Sequence, residues 1–200
     1  MPRKQLSLFG GAQAWPVGFR YQPDLVPPEQ EDALLEHVRK LPFKEFQFQG
    51  FVGKRRTVSY GWHYDFNDRV LRKAEDLPPF LLSLRELAAE FAEMPAARLQ
   101  QVLVTEYTAG SSIGWHRDKA VFGEVVGVSL LSSCKFRFRR KAGSGSTWER
   151  VSLTAEPRSA YLLSGPARTE WEHSIPAVET LRYSITFRNL REPDRAGLPT

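Results

Sequence analysis

Cysteine is almost missing from this chain of 200 residues. Cys134 is the single one, so no internal disulfide can form and a reducing compartment fits best. Within "LLSSCKFRF" that thiol reads as a core residue and not as a nucleophile. Long apolar runs are missing too: nothing approaches the ~18 residues of a membrane span. The N-terminal "MPRKQLSLFGGAQAW" has basic residues but no apolar centre of a signal peptide. A cytoplasmic monomer with no membrane association is the expectation. There is no internal repeat, and no low-complexity block beyond the short "KAGSGST". Histidine is scarce, with four in the chain, which narrows the ways a metal site can be built.

What is present is ordinary for a soluble globular protein: 42% hydrophobic and 26% charged residues. Lys and Arg number 28 against 23 Asp and Glu, a net charge of +5, with a pI of about 9.5. Such a surplus suits an anionic partner, whose phosphates release counterions to it, although an unspecialised basic surface has the same charge.

The first 28 residues hold five prolines and a Gly-Gly pair and read as mostly irregular, with Phe9 and Trp15 packing onto the body. A helix is expected after Pro27-Pro28, where Leu34, Leu35, Val38 and Leu41 recur at helical spacing until Pro42. "FKEFQFQGF" alternates as a strand does, and "VGKRRTVSYGWHYDFND" reads as strand and loop. A second helix follows Pro78-Pro79, with Phe80, Leu81, Leu84, Leu87, Ala88 and Phe91 as its apolar stripe. From Leu99 onward the chain reads as short strands: "LQQVLVTEY", "EVVGVSLL", "CKFRFRR", "WERVSL", "SAYLLSG" and "TLRYSITFRNL". In "KFRFRRK", Phe136 and Phe138 are expected inward with the arginines in water.

His116 and Asp118 stand two apart in "GWHRDKAVFG", so an extended chain aims both side chains the same way. His37 falls in the first helix and His63 in the aromatic loop, which leaves His173, in "EWEHSIP", as the third ligand if the sheet rolls up. Two His and one carboxylate on one face of an ion suit iron(II); the same set could hold zinc with a water. On the last strand, Arg182, Ser184, Thr186 and Arg188 share one parity, and Tyr183, Ile185 and Phe187 share the other. Facing solvent, this is an amphipathic edge strand. Facing a barrel interior, its two guanidiniums need anions, because burying an unpaired charge costs several kcal/mol. A dicarboxylate would supply them, with Thr105 and Tyr107 offering hydroxyls at matching parity.

Together these residues resemble the AlkB-like iron(II)/2-oxoglutarate dioxygenases. "TEYTAGSSIGWHRD", "EHSIP" and "LRYSITFR" follow the family's order over about residues 99–190, and "QLSLF" resembles the start of bacterial members. The resemblance implies an α+β chain with a double-stranded β-helix (jelly-roll) core at 99–191. Before it, at 1–98, come N-terminal helices and a nucleotide-recognition lid, all within one domain. It implies Fe(II) on His116, Asp118 and His173; 2-oxoglutarate on Tyr107, Arg182 and Arg188, with Thr105 and Ser184 where well-known members have Asn; and O2 as oxidant. The implied activity is oxidative demethylation of N-alkylated DNA or RNA bases. The lid, "GKRRTVSYGWHYDF", would contribute Arg55, Arg56, Tyr60, Trp62 and Tyr64 to nucleic-acid binding, by phosphate contact and stacking. Tyr60, Trp62 and Tyr64 also share a strand parity that would let them pack on the second helix. Ala120 stands where those members carry an acidic residue that helps to read the base. The alternatives are a tRNA- or protein-modifying oxygenase of the same fold, and a non-catalytic nucleic-acid binder.

Overall fold

The structure is a computed structural model and describes residues 15–48, 51–65, 68–143 and 146–191; Phe9 and "QLSLF" lie outside them. Where the chain alternates apolar with polar residues it forms strands, and these assemble into antiparallel sheets. The larger sheet has seven strands in the order β1-β11-β8-β13-β6-β3-β2. They are β1 (Phe19–Gln22), β2 (Lys44–Phe48), β3 (Phe51–Tyr60), β6 (Leu99–Tyr107), β8 (Phe122–Leu130), β11 (Ala160–Leu163) and β13 (Arg182–Leu190). The smaller sheet runs β10-β9-β12-β7: β7 (Ile113–His116), β9 (Cys134–Lys141), β10 (Trp148–Ala155) and β12 (Glu172–Ile175). A separate hairpin pairs β4 (Trp62–Asp65) with β5 (Val70–Lys73).

Two cores follow from the two faces of the larger sheet. Val102 and Val104 of β6, Val126 and Val128 of β8, and Tyr183, Ile185 and Phe187 of β13 face one way. There they meet helix α1 (Pro28–Val38) through Leu34, Leu35 and Val38, and helix α2 (Leu82–Ala92) through Leu84 and Ala88. Prolines start both helices, at Pro28 and in the 3-10 turn Pro79–Leu81, because a missing N–H costs nothing in a first turn. The opposite face looks at the smaller sheet. Val125 and Leu163 from one side and Phe136, Phe138, Val151 and Ile175 from the other enclose a second core. Among the described helices none is long and apolar enough to cross a membrane.

Several expectations change. The chain is mostly β, not an even α+β: β1, β2 and β3 lie in the first half, and all three join the same sheet as the later strands. Within the N-terminal stretch expected to be mostly irregular, Phe19–Gln22 forms a strand, because it finds an open edge at β11. Trp15 does reach the body, its ring centroid 5.4 Å from that of Phe19. The β half also contains a short helix, α3 (Gly165–Thr169), too brief to leave a periodic pattern.

One packing detail sets the shape of the interior. Tyr161 on β11 is the register partner of Gly127 on β8, and a Cβ placed on Gly127 would lie 2.2 Å from Tyr161 Cζ. The phenol lies flat across the glycine and fills the space a side chain would take, with Phe136 against it, ring centroids 4.6 Å apart. Gly127→Ala is expected to lower stability in urea unfolding by about 1–3 kcal/mol through overpacking. In a Tyr161→Leu background the same substitution should cost close to nothing; equal costs in both backgrounds would refute this account.

Candidate active site

Strand β7 ends on His116 and the chain leaves the sheet before Asp118. On β12, His173 is the antiparallel register partner of His116, and the two rings lie 4.3 Å apart. Donor atoms of His116, Asp118 and His173 all fall within 4.8 Å of one another, the spacing of three ligands on one face of an ion. His116 Nδ1 stands 2.9 Å from the Gly114 carbonyl. A carbonyl only accepts, so Nδ1 carries the proton and Nε2 keeps its lone pair for a metal. Phe136 stacks on His173 at 5.4 Å and orients that ring.

The electrostatics suit a cation. Burial alone would push the Asp118 carboxyl up, but Arg188 first, and then His173, His116 and Arg168, hold it well below the usual carboxylate range. Burial and the neighbouring His116 bring His173 down to about 3, and burial lowers His116 against the pull of Asp118. At neutral pH the site therefore offers two neutral imidazoles and one carboxylate, the charge states that metal ligands need.

The last strand turns its polar face inward. Arg182, Ser184, Thr186 and Arg188 are all buried on the face opposite the helices, and Arg182 and Ser184 are the register partners of Tyr107 and Thr105 on β6. The two guanidiniums meet different surroundings. Arg188 donates to Asp118 Oδ1 from Nη2 at 2.9 Å and Nε at 3.2 Å, and from Nη1 to Gln101 Oε1 at 2.8 Å. Asp118 Oδ2, 3.6 Å from His173 Nε2, is the oxygen left for a metal. Arg182 donates from Nη2 to Ser129 Oγ at 2.9 Å and lies 4.8 Å from the Tyr107 ring centroid. Its Nε and Nη1 are buried with no hydrogen-bond partner among the described residues. Orphaned donors on a buried cation are costly, and an incoming carboxylate would satisfy them.

Of the lid residues, the structure brings some to the site and not others. Neighbours on a strand point to opposite faces, and β3 shows it. Arg55 is turned toward the site, where its charge acts on Tyr107 and His116, and its Nη1 lies 3.4 Å from the Ser112 carbonyl. Arg56 takes the helix side, bound to the buried Glu106 at 2.7 and 2.8 Å, and Tyr60 is buried there in the helix-facing core. Tyr60 is thus a core residue and Arg56 a half-exposed partner of Glu106, since β3 is a strand of the large sheet and its alternation decides where they go. On the hairpin, Lys73 sits over the Trp62 ring at 5.5 Å and Lys119 over the Tyr64 ring at 5.3 Å. His37 and His63 are exposed, away from the cluster.

Sequence reasoning passed over four residues around the site: Gln101 and Ser129, which hold the two arginines, Tyr161 against Phe136, and Arg168. The last is buried and donates to the carbonyls of Lys119, Phe122 and Gly123 at 2.6 to 3.0 Å, clamping the loop after Asp118 to α3. Gln101 shares the parity of Thr105 and Tyr107, and that was its one readable signal.

The description "2OG-Fe(II) oxygenase superfamily" matches residues 18–188. The chain belongs to this superfamily. It is 29% identical over 180 residues to the "Alkylated DNA repair protein ALKBH8 homolog" of Arabidopsis thaliana, over 77% of this chain and 49% of that protein. To the "RNA demethylase ALKBH9B" of the same plant it is 27% identical, over 70% of this chain and 31% of that protein. The chain thus spans half or less of the length of these two relatives. The solved structure of OsALKBH1 superposes with a TM-score of 0.62 at 17% identity, covering 88% of this chain and 98% of that one, which identifies the fold as a double-stranded β-helix. The superfamily's name carries iron(II) and 2-oxoglutarate. The residues fit both groups: a His-Asp-His face for the iron and unsatisfied Arg182 donors for a carboxylate of the co-substrate.

Two expected outcomes follow. Arg182→Met should weaken 2-oxoglutarate binding by about 100-fold, roughly 3 kcal/mol for a buried charge-assisted contact, with metal affinity within twofold; anaerobic titration reads both. Both imidazoles are lowered from the unfolded value of 6.5, His173 to about 3, so at His173 the unfolded state binds more protons between those two pH values. Stability of the metal-free protein should accordingly fall as pH drops through this window, by on the order of 1 kcal/mol per pH unit per histidine. His173→Gln should flatten the profile, and an unchanged slope would contradict the assignment.

Proposed function

We propose that this oxygenase removes alkyl groups oxidatively from N-alkylated bases of DNA or RNA, as in alkylation repair. The observation that carries this reading is the rim of the site: Arg55 on β3 and Tyr64 of the hairpin, the latter against Lys119, put cations and aromatic rings beside His116 and Asp118. A flipped-out nucleotide needs a cation for its phosphate and flat rings for its base. The names of the relatives, which cover repair of alkylated DNA and demethylation of RNA, point the same way. In this reading β4 and β5, with Trp62 and Tyr64, form the nucleotide-recognition lid, and Arg56 and Tyr60 support it from the helix side.

Bound iron(II) and 2-oxoglutarate would supply the oxidation: O2 gives one oxygen atom to the co-substrate, which leaves as succinate and CO2, and the other to the alkyl carbon, whose hydroxylated product breaks into an aldehyde and the free base N–H. The protein's part is placement. His116, Asp118 and His173 hold the metal. Arg182, Ser129, Tyr107, Thr105 and Ser184 form the co-substrate pocket. Arg188, braced by Gln101, occupies Asp118 Oδ1 and so presents Oδ2. Arg55 draws the phosphate, and Trp62 and Tyr64 receive the base. A non-catalytic binder would have no use for Arg182 donors left open beside three intact ligands.

After anaerobic loading with iron(II) and 2-oxoglutarate and then admission of air, succinate and formaldehyde should appear in equal amounts from methylated oligonucleotides, and His116→Ala should abolish both while leaving oligonucleotide binding within about twofold. Methylated single-stranded DNA, duplex DNA and tRNA tested side by side rank the substrates. Iron-loaded protein inert on all three would overturn the reading.

A further inference from the structure

The smaller sheet turns one face to the site and the other to solvent, and the solvent face is built from cations and indoles. Along β9, Cys134, Phe136 and Phe138 are buried, while Lys135, Arg137, Arg139 and Lys141 alternate outward. In register beside them on β10 stand Thr154, Ser152, Arg150 and Trp148. Ser174 and Glu172 of β12 continue the same rows. Trp115, the residue before His116 on β7, completes the face through its contacts with Arg137 and Arg139.

Two features of this face exceed what a solvated strand needs. Arg139 and Arg150 are direct cross-strand partners, and like charges so placed repel. Glu172 answers Arg139 at 2.6 Å, but among the described residues no carboxylate lies within ion-pair distance of Lys135, Arg137, Lys141 or Arg150. The guanidinium of Arg139 also lies over two indoles, 4.5 Å from the Trp115 ring centroid and 4.3 Å from that of Trp148. Arg140, of opposite parity, takes no part: its charge is met by Glu149 and Glu170.

We propose that the outer face of β10-β9-β12-β7, where Lys135, Arg137, Arg139, Lys141 and Arg150 surround Trp115 and Trp148, is a track for single-stranded nucleic acid running on from the nucleotide in the site. This rests on the nucleic-acid reading above. Phosphates would relieve the Arg139–Arg150 repulsion, and the indoles and guanidinium planes offer stacking to any base. The track adjoins the site, since Trp115 and His116 are consecutive on β7. Four strands at ~4.8 Å spacing make a face about 15 Å wide, room for roughly two or three phosphates.

The test uses exposed residues remote from the metal: Arg150→Glu, Lys141→Glu and the pair together, in the full-length protein. Fluorescence anisotropy with an unmodified 20-nucleotide oligothymidylate should show Kd rising about tenfold for the double variant, with a shallower dependence on salt because fewer phosphates are neutralised. Arg150→Glu should keep or raise Tm, since it turns a repelling pair into an attracting one. KM for a methylated 20-mer should rise with kcat unchanged, while KM for a methylated trinucleotide stays the same. Should Lys141→Glu lower Tm, Lys141→Gln at the wild-type Tm is read in its place. Unchanged Kd and salt slope would overturn the track, as would wild-type binding to phosphatidylserine vesicles but not to the oligonucleotide. Normal turnover with unchanged binding counts against the track alone; retained oligothymidylate binding with no turnover on any methylated oligonucleotide counts against the demethylase reading alone.

Discussion

Two guanidiniums inside the protein set the terms for everything around them. Arg182 and Arg188 lie on a strand whose other face is fixed by Tyr183, Ile185 and Phe187 against the helices, so burying the apolar face forces the charged one into the space between the sheets. Withdrawing such charges from water costs several kcal/mol each unless partners are supplied. Arg188 is compensated from within, by Asp118 and Gln101. Arg182 is compensated in part, by Ser129 and the face of Tyr107, and keeps two buried donors open. The difference separates two arginines that were both expected on the co-substrate: Arg188 is engaged with the carboxylate of Asp118, and Arg182 keeps donors that a further partner could satisfy.

The same division explains the metal site. A buried carboxylate would tend to take up a proton, and Arg188 prevents it while engaging only one of its oxygens. The register pairing of His116 with His173 then brings in two imidazoles that desolvation keeps uncharged at neutral pH. Arg168 ties the loop after Asp118 to α3, whose last residue lies four positions before His173. Its hydrogen bonds thus join both arms of the ligand set, so the three donors are gathered before any ion arrives, as preorganisation requires.

Much of this was legible in the sequence, because strand alternation is a strong local signal. The parity of Arg182, Ser184, Thr186 and Arg188 appears directly in "LRYSITFR", and "LQQVLVTEY" coincides with β6 residue for residue. Parity cannot say which face is buried; that depends on which strands a strand pairs with. For β13 the His-X-Asp and distal His supplied the missing information, and the inward reading held. For β3 nothing local did. Arg55 and Arg56 have the same chemistry and adjacent positions, and only pairing with β6, which sets Arg56 opposite Glu106, separates a residue at the site from one on the helix side of the sheet. Gln101, Ser129 and the Tyr161–Gly127 contact were out of reach for the same reason, as each acquires its meaning from a partner at least 34 positions away on another strand.

Alternation also links the two surfaces that face opposite chemistries. On β9 a single strand sends Phe136 inward to stack on His173 and Arg137 outward to lie over Trp115, so the layer that excludes water from the metal ligands is the same layer that displays the cations. A one-residue slip of β9 would put arginines in the apolar core and phenylalanines in water. The register that builds the dry interior therefore fixes the spacing of charge on the outer face, beginning one residue from the metal ligand His116. A strand of nucleic acid lying on that face would be held in a fixed relation to the reacting centre by the same backbone pairing that aligns His116 with His173.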